Sequence, residues 1–233
     1  MRRAAGQMAA ACLMALAGAA GCQSRAHQAA LSLGERMARI QVGQTGAAEV
    51  LELLGEKGRL ETAETVSVYR QRGSVRELGL VRLAEADERV ARTAYVQVRS
   101  TLSPAPLFSH EELGVRIEAT APAEVLGQPY ENKGRQAVAV AQYCRDALLE
   151  DGKACENDQA AGQMVGMARS AFTEAFVQLD ERVRDQGQLT EGKGFGFTHS
   201  VYGPTWLRLE ERGEGRWVLR LRAASTVDPW GTW

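Results

Sequence analysis

Arg89-Val90-Ala91-Arg92-Thr93-Ala94-Tyr95-Val96-Gln97-Val98-Arg99 is the stretch whose reading decides the fold. Val90, Ala94, Val96 and Val98 recur at the two-residue period of a half-buried strand, and Arg92 interrupts their apolar face. Two more strand-like runs precede it, near Thr65–Gln71 and Arg76–Ala84, with Gly73-Ser74 and Ala86-Asp87-Glu88 as turns, so the segment reads as an antiparallel meander. Upstream, in Ala47-Ala48-Glu49-Val50-Leu51-Glu52-Leu53-Leu54-Gly55, Val50, Leu51 and Leu54 share one face of a short helix and Gly55 suits its C-terminal cap.

Beyond the meander, Thr101-Leu102-Ser103-Pro104-Ala105-Pro106 reads as a linker. Leu113, Val115, Ile117 and Ala119 then alternate along a further strand. A loop over Pro122 to Lys133 leads into two helices separated by Asp151-Gly152-Lys153. The second, about Asp158 to Asp185, carries Met164, Ala168, Phe172, Ala175, Leu179 and Val183 on one stripe, read as core because the opposite face mixes acids and bases. The chain closes in a hairpin. Leu207 and Leu209 face Trp217, Leu219 and Leu221, while Arg208, Glu210, Arg216, Arg220 and Arg222 take the outer face. The expected class is α+β: a short helix with an antiparallel meander, then a strand, a helical hairpin and a C-terminal β-hairpin.

Gly43, Thr45, Val50, Leu54 and Gly55, with a Tyr (Tyr69) on the strand that follows, resemble the SmpA/OmlA (BamE-like) outer-membrane lipoproteins over about residues 36–99. Lys57 stands where that family usually has Pro. The resemblance implies a small α+β envelope body whose partner is another envelope protein, since the best-known member is an accessory of the β-barrel assembly machinery.

The N-terminus agrees with an envelope address. Arg2 and Arg3 precede an apolar stretch, Met8 to Ala20, too short to span a bilayer, and small residues crowd Leu16-Ala17-Gly18-Ala19-Ala20-Gly21-Cys22. This resembles a bacterial lipoprotein signal with Cys22 as the lipidated first mature residue, although Ala19 replaces the usual large aliphatic residue. Gln23 after it points to the outer membrane. An ordinary cleavage site at Ala17-Gly18-Ala19 or Ala19-Ala20-Gly21 remains the alternative, and would release a soluble periplasmic or secreted protein. Of four cysteines, Cys12 leaves with the signal, and Cys144 and Cys155 are close enough in sequence to form a disulfide, which would leave Cys22 for the lipid. The divisions read as 1–21 signal peptide, 22–32 lipidated tether, 33–100 BamE-like region and 101–233 the helical-hairpin region.

Chemistry is sparser than address. A formal net charge of −1 leaves no footprint for nucleic acid. The three histidines, His27, His110 and His199, are isolated, and no Cys-x-x-Cys, His-Glu-x-x-His or Gly-x-Ser-x-Gly occurs, so neither a metal, a cofactor nor a catalytic residue is assigned. The expectation is a non-enzymatic structural or protein-interaction role at the membrane. The alternative is a periplasmic ligand-binding module for a sugar, a peptidoglycan fragment or a lipid, using the glycine-aromatic loop 192–206. There Phe195, Phe197, Tyr202 and Trp206 would stack on the ligand, with Lys193 or His199 adding a polar contact.

Overall fold

The computed structural model describes residues 31–55, 59–62, 64–102, 109–130, 132–186, 194–213 and 215–223, with backbone alone at 59–62, 102, 109, 110 and 184–186. One antiparallel sheet organises them: β1 (Arg59–Thr62), β2 (Thr65–Arg72), β3 (Val75–Leu83), β4 (Val90–Leu102), β5 (Ser109–Thr120), β6 (Phe195–His199), β7 (Gly203–Glu211) and β8 (Arg216–Ala223), in spatial order β1-β2-β3-β4-β5-β8-β7-β6. Helices α1 (Leu33–Met37) and α2 (Ala47–Leu54) precede it. Helices α3 (Ala123–Leu126), α4 (Lys133–Asp151) and α5 (Gln159–Gln186) lie between β5 and β6, with a 3-10 turn at Gly152–Cys155 joining the last two. The fold is α+β.

Each face of the sheet has its own helical layer. On one face a register row runs Leu78–Val96–Val115–Leu221–Leu207–Phe195 across six strands. These side chains share a core with Met164, Ala168, Phe172, Leu179 and Val183 of α5 and Val140 and Leu148 of α4. The stripe expected on the long helix is therefore core, and each large member removed from water contributes about 1.5–3 kcal/mol. On the opposite face Val66, Val68, Val81 and Tyr95 pack with Leu33 and Met37 of α1 and Val50 and Leu54 of α2. Gly79 permits this approach, because a Cβ there would lie 2.8 Å from Met37 Sδ.

Local chemistry places the first layer. Ser32 and Glu35 form a reciprocal capping box at the start of α1, so the folded body already begins inside the stretch read as tether. Gly55 ends α2 at φ 80°, as its sequence position implied. The Arg36 and Arg70 guanidinium groups both donate to the Leu54 carbonyl, satisfying the negative end of α2.

Two expectations are corrected. Residues 101 and 102 belong to β4, which pairs with β5 as far as Leu102 opposite Ser109, so the boundary drawn at residue 100 cuts through one sheet; 103–108 lie outside the described residues. The Cys144–Cys155 disulfide is not formed, and both sulfurs are buried thiols in the core on the helical side. From Cys144 to the end of α4 the helix already advances roughly 10 Å. A disulfide needs a Cα separation of about 4.4–6.8 Å, and the 3-10 turn carries Cys155 beyond that end. Burial pushes the Cys144 thiol up to about 12.

Arg92, the interruption in the decisive strand, is the ionic link between sheet and helical hairpin. Its Nε and Nη2 donate to the two Asp151 carboxylate oxygens at 2.7 and 2.8 Å, and Nη2 also reaches Glu150 at 2.9 Å. Only 13% of the Arg92 side chain and 3% of the Asp151 side chain are exposed. Replacing Asp151 by Ala should lower the unfolding free energy by about 3 kcal/mol, whereas Arg92→Met combined with Asp151→Leu should recover most of the loss. Urea unfolding of the three variants checks this.

Candidate functional site

The residues expected to form an aromatic ligand loop are divided by the sheet. Lys193 lies outside the described residues. Phe195, Phe197 and His199 alternate along β6 toward α5 and continue to Tyr202, with centroid separations of 5.8, 6.3 and 5.0 Å. Phe195 is core, Phe197 and Tyr202 pack against that core, and the Arg182 guanidinium sits 5.1 Å from the Phe195 ring centroid. Trp206 projects to the other face of the sheet. The segment is thus a strand, a turn and the start of another strand rather than a ligand loop, and its rings do not converge.

His199, Ser200 and Glu174 of α5 do meet, in an arrangement that fixes a turn. The Ser200 backbone N–H donates to Glu174 at 3.0 and 3.1 Å, and the Ser200 hydroxyl donates to Glu174 Oε2 at 2.6 Å. His199 Nδ1 accepts from the Val201 and Tyr202 amides at 3.0 and 3.3 Å, which assigns the proton to Nε2, 3.4 Å from the Ser170 carbonyl. A nucleophilic serine needs its hydroxyl on a basic imidazole nitrogen. Here the hydroxyl serves the carboxylate, and the imidazole serves backbone groups.

A different cluster occupies the sheet face beyond α1 and α2. The row that begins Val68–Gly79–Tyr95 beneath α1 continues as Arg116–Arg220–Arg208 on β5, β8 and β7. Adjacent strands are roughly 5 Å apart, so three guanidinium side chains stand shoulder to shoulder. The neighbouring row holds Glu118, Val218 and Glu210. Arg116 and Arg216 lie 2.9 and 3.7 Å from Glu118, while Arg208 and Arg212 pair with Glu210. Arg220, in the middle, makes no hydrogen bond or ion pair among the described residues, and its buried Nε has no acceptor. Burial, then Arg116, pulls the Arg220 guanidinium below its ordinary value.

On the far side of Arg220 the row reads Gly114–Arg222–Trp206–Gly196. Cδ2, Cε2 and Cζ2 of Trp206 lie 3.2–3.4 Å from the position a Cβ on Gly196 would take. The indole therefore rests flat over that glycine, and it is 36% exposed. The hairpin's outer face, with Arg208, Glu210, Arg216, Arg220 and Arg222, was legible from alternation. Arg116 was not, because its place beside Arg220 depends on β5 pairing with β8 across the whole helical hairpin.

Among the described residues no group of three or more His, Cys, Asp or Glu is placed to hold a metal ion, and no helix is long and apolar enough to cross a membrane. Compared with protein-family models, with curated proteins and with solved structures, the chain matches none of them. No comparison supports the resemblance of residues 36–99 to the SmpA/OmlA lipoproteins expected from Gly43, Thr45, Val50 and Leu54. Those have local work: Gly43 donates to Val90 at 2.7 Å, Thr45 accepts from the Gln41 amide at 2.9 Å, and Val50 and Leu54 are core.

Hydrogen bonds from Ser200, foremost its hydroxyl, hold the Glu174 carboxyl below its ordinary value of 4.5. A depressed folded-state value stabilises the fold above the unfolded value, and that contribution is lost as pH falls through the folded one. Glu174→Gln should therefore show a shallower loss of Tm on acidification below about pH 4.5 than the parent protein, with faster amide exchange at Ser200 at neutral pH. Parallel Tm–pH curves for the two proteins would contradict this.

Proposed function

We propose that this chain is a lipid-anchored protein of the bacterial envelope that acts by binding rather than by catalysis, with the open face of β5, β8 and β7 as its binding surface. The observation that carries the binding reading is the unpartnered Arg220, held between Arg116 and Arg208 on a face that neither helical layer covers. Arg220 is partly desolvated and crowded by like charges there, with Glu210 offsetting part of that cost. The arrangement becomes favourable when an anionic partner arrives.

The anchor rests on the N-terminal pattern ending at Cys22, which lies outside the described residues. Its support from cysteine counting is gone, because Cys144 and Cys155 are thiols. Two buried thiols in an apolar core are inert to the compartment's redox state, so their presence is compatible with the envelope. The alternative address, a soluble periplasmic or secreted protein, leaves the binding surface unchanged. For the protein partner implied by the SmpA/OmlA likeness, the described residues of 36–99 show no comparable surface, since the large apolar side chains of α1 and α2 are turned into the core.

Intact-mass measurement on protein extracted from bacterial membranes tests the anchor. The expected species begins at Cys22 and carries acyl chains, with Cys144 and Cys155 both alkylated by iodoacetamide after unfolding without prior reduction. An unacylated chain starting at residue 20 or 22 would contradict the anchor, and protection of both thiols would contradict the reduced core.

A further inference from the structure

We infer that the β6 edge of the sheet docks a second copy of this chain, whose own β6 adds to it antiparallel about Phe197 and makes one continuous sheet of the two molecules. The inference is independent of the anion-binding reading above and uses a different part of the fold, the strand that ends the spatial order β1-β2-β3-β4-β5-β8-β7-β6.

β6 reads Phe195-Gly196-Phe197-Thr198-His199, without Lys, Arg, Asp, Glu or Pro. Edge strands that stay solitary are blunted by such residues or by irregular pairing. The opposite edge has both devices, since β1 contains Arg59 and Glu61 and its register slips between Leu60 and Thr62. The direction of the free backbone groups on β6 follows from its neighbour. Thr198 stands opposite Pro204, which has no N–H, so this is not one of the doubly hydrogen-bonded pairs of the β6–β7 ladder. Thr198, and Gly196 two residues before it, therefore turn their N–H and C=O groups to the open edge. Among the described residues the large hydrophobic side chains that stand exposed are Val177, Val201 and Trp206, and all three border this strand. Val201 follows it in the turn, and Trp206 lies over Gly196. Val177 is on the stretch of α5 between Glu174, which holds Ser200, and Arg182, which covers Phe195.

The chemistry of the strand selects a second copy over an unrelated one. With a two-fold axis at Phe197, Gly196 of each molecule exchanges both backbone hydrogen bonds with Thr198 of the other, and these are the groups that point outward. The two Phe197 rings then meet at a non-hydrogen-bonded site, where side chains approach most closely, and Phe195 comes opposite His199. On the open face the register row Trp206–Gly196 continues into Thr198 and Pro204 of the second copy, so the indole spread over Gly196 is covered. On the helical face α5 runs antiparallel to β6, with Arg182 5.1 Å from the Phe195 ring centroid and Glu174 bonded to Ser200 just after His199. The axis therefore sets Arg182 of each copy toward Glu174 of the other and brings the two Val177 positions near each other. Arg182 makes no ion pair among the described residues, so its charge is available for that contact. An unrelated strand would complete the hydrogen bonds without bringing opposite charge and apolar side chains to these places.

Sedimentation equilibrium of the mature full-length protein in density-matched detergent tests this. The parent protein should show a monomer–dimer equilibrium whose dimer fraction grows with protein concentration. Thr198→Lys places a charge at an exposed edge position and should raise the dissociation constant about tenfold or more, with the far-UV circular dichroism unchanged. Thr198→Pro should do the same by removing an outward N–H. Arg182→Glu should raise it by about threefold. Glu49→Gln, exposed on α2 at the other side of the sheet, should change nothing. Every variant keeps the same N-terminus, so two chains sharing one micelle give the same background in all. Val177→Cys should be joined to its own copy by a short bis-maleimide, and Glu49→Cys should not. A parent protein that stays monomeric at every concentration would overturn the dimer, and a dimer that both Thr198 variants leave intact would overturn β6 as its seam.

Discussion

One constraint shapes this molecule: a sheet wider than either of its helical covers. Eight strands present two faces, and α1 with α2 can shield one of them only over β2 to β4. The α4–α5 hairpin shields the other from β3 to β8. Where the first cover stops, the row Val68–Gly79–Tyr95 gives way to Arg116–Arg220–Arg208. Tyr95 stands at that border, its ring against Gly34 of α1 and its hydroxyl donating to Glu77 at 2.6 Å. The change from apolar to arginine along one register row is the sequence's answer to the loss of a covering layer.

Among the described residues the helical hairpin is fixed to this sheet by apolar burial and by the Arg92–Asp151 pair, and their division of labour is physical. The stripe on α5 supplies the non-directional energy that holds the layer down. Arg92 and Asp151 supply direction, since a bidentate pair at 2.7 and 2.8 Å tolerates little rotation of α4 about its axis. The cost of burying two charges makes the pair a weak source of net stability and a strong penalty on wrong arrangements. The remaining polar cluster, Glu174 with Ser200 and His199, ties the turn after β6 to α5 in the same spirit.

Much of the architecture was legible because it is written in local periodicity. Alternation located β2 through β5 and the final hairpin, and the stripe from Met164 to Val183 located the face of α5. What the sequence hid depends on partners distant along the chain. The strand pattern marked Arg92 as an anomaly, but its meaning required Asp151 from the end of α4. The aromatic run from Phe195 to Trp206 looked like one site until strand geometry sent Phe195, Phe197 and His199 to one face and Trp206 to the other. Cys144 and Cys155 were paired by proximity in sequence, which helical rise defeats. The short β1 and α1 carried too few residues to show a period.

The central claim is that the sheet has one buried face and one open, cationic continuation. Maleimide labelling of the Arg220→Cys variant, read by mass spectrometry before and after unfolding, tests it most directly. The account predicts rapid labelling at position 220 in the native protein and labelling of Cys144 and Cys155 only on unfolding. Protection of position 220 alongside the two core thiols would contradict it, since that face would then be interior.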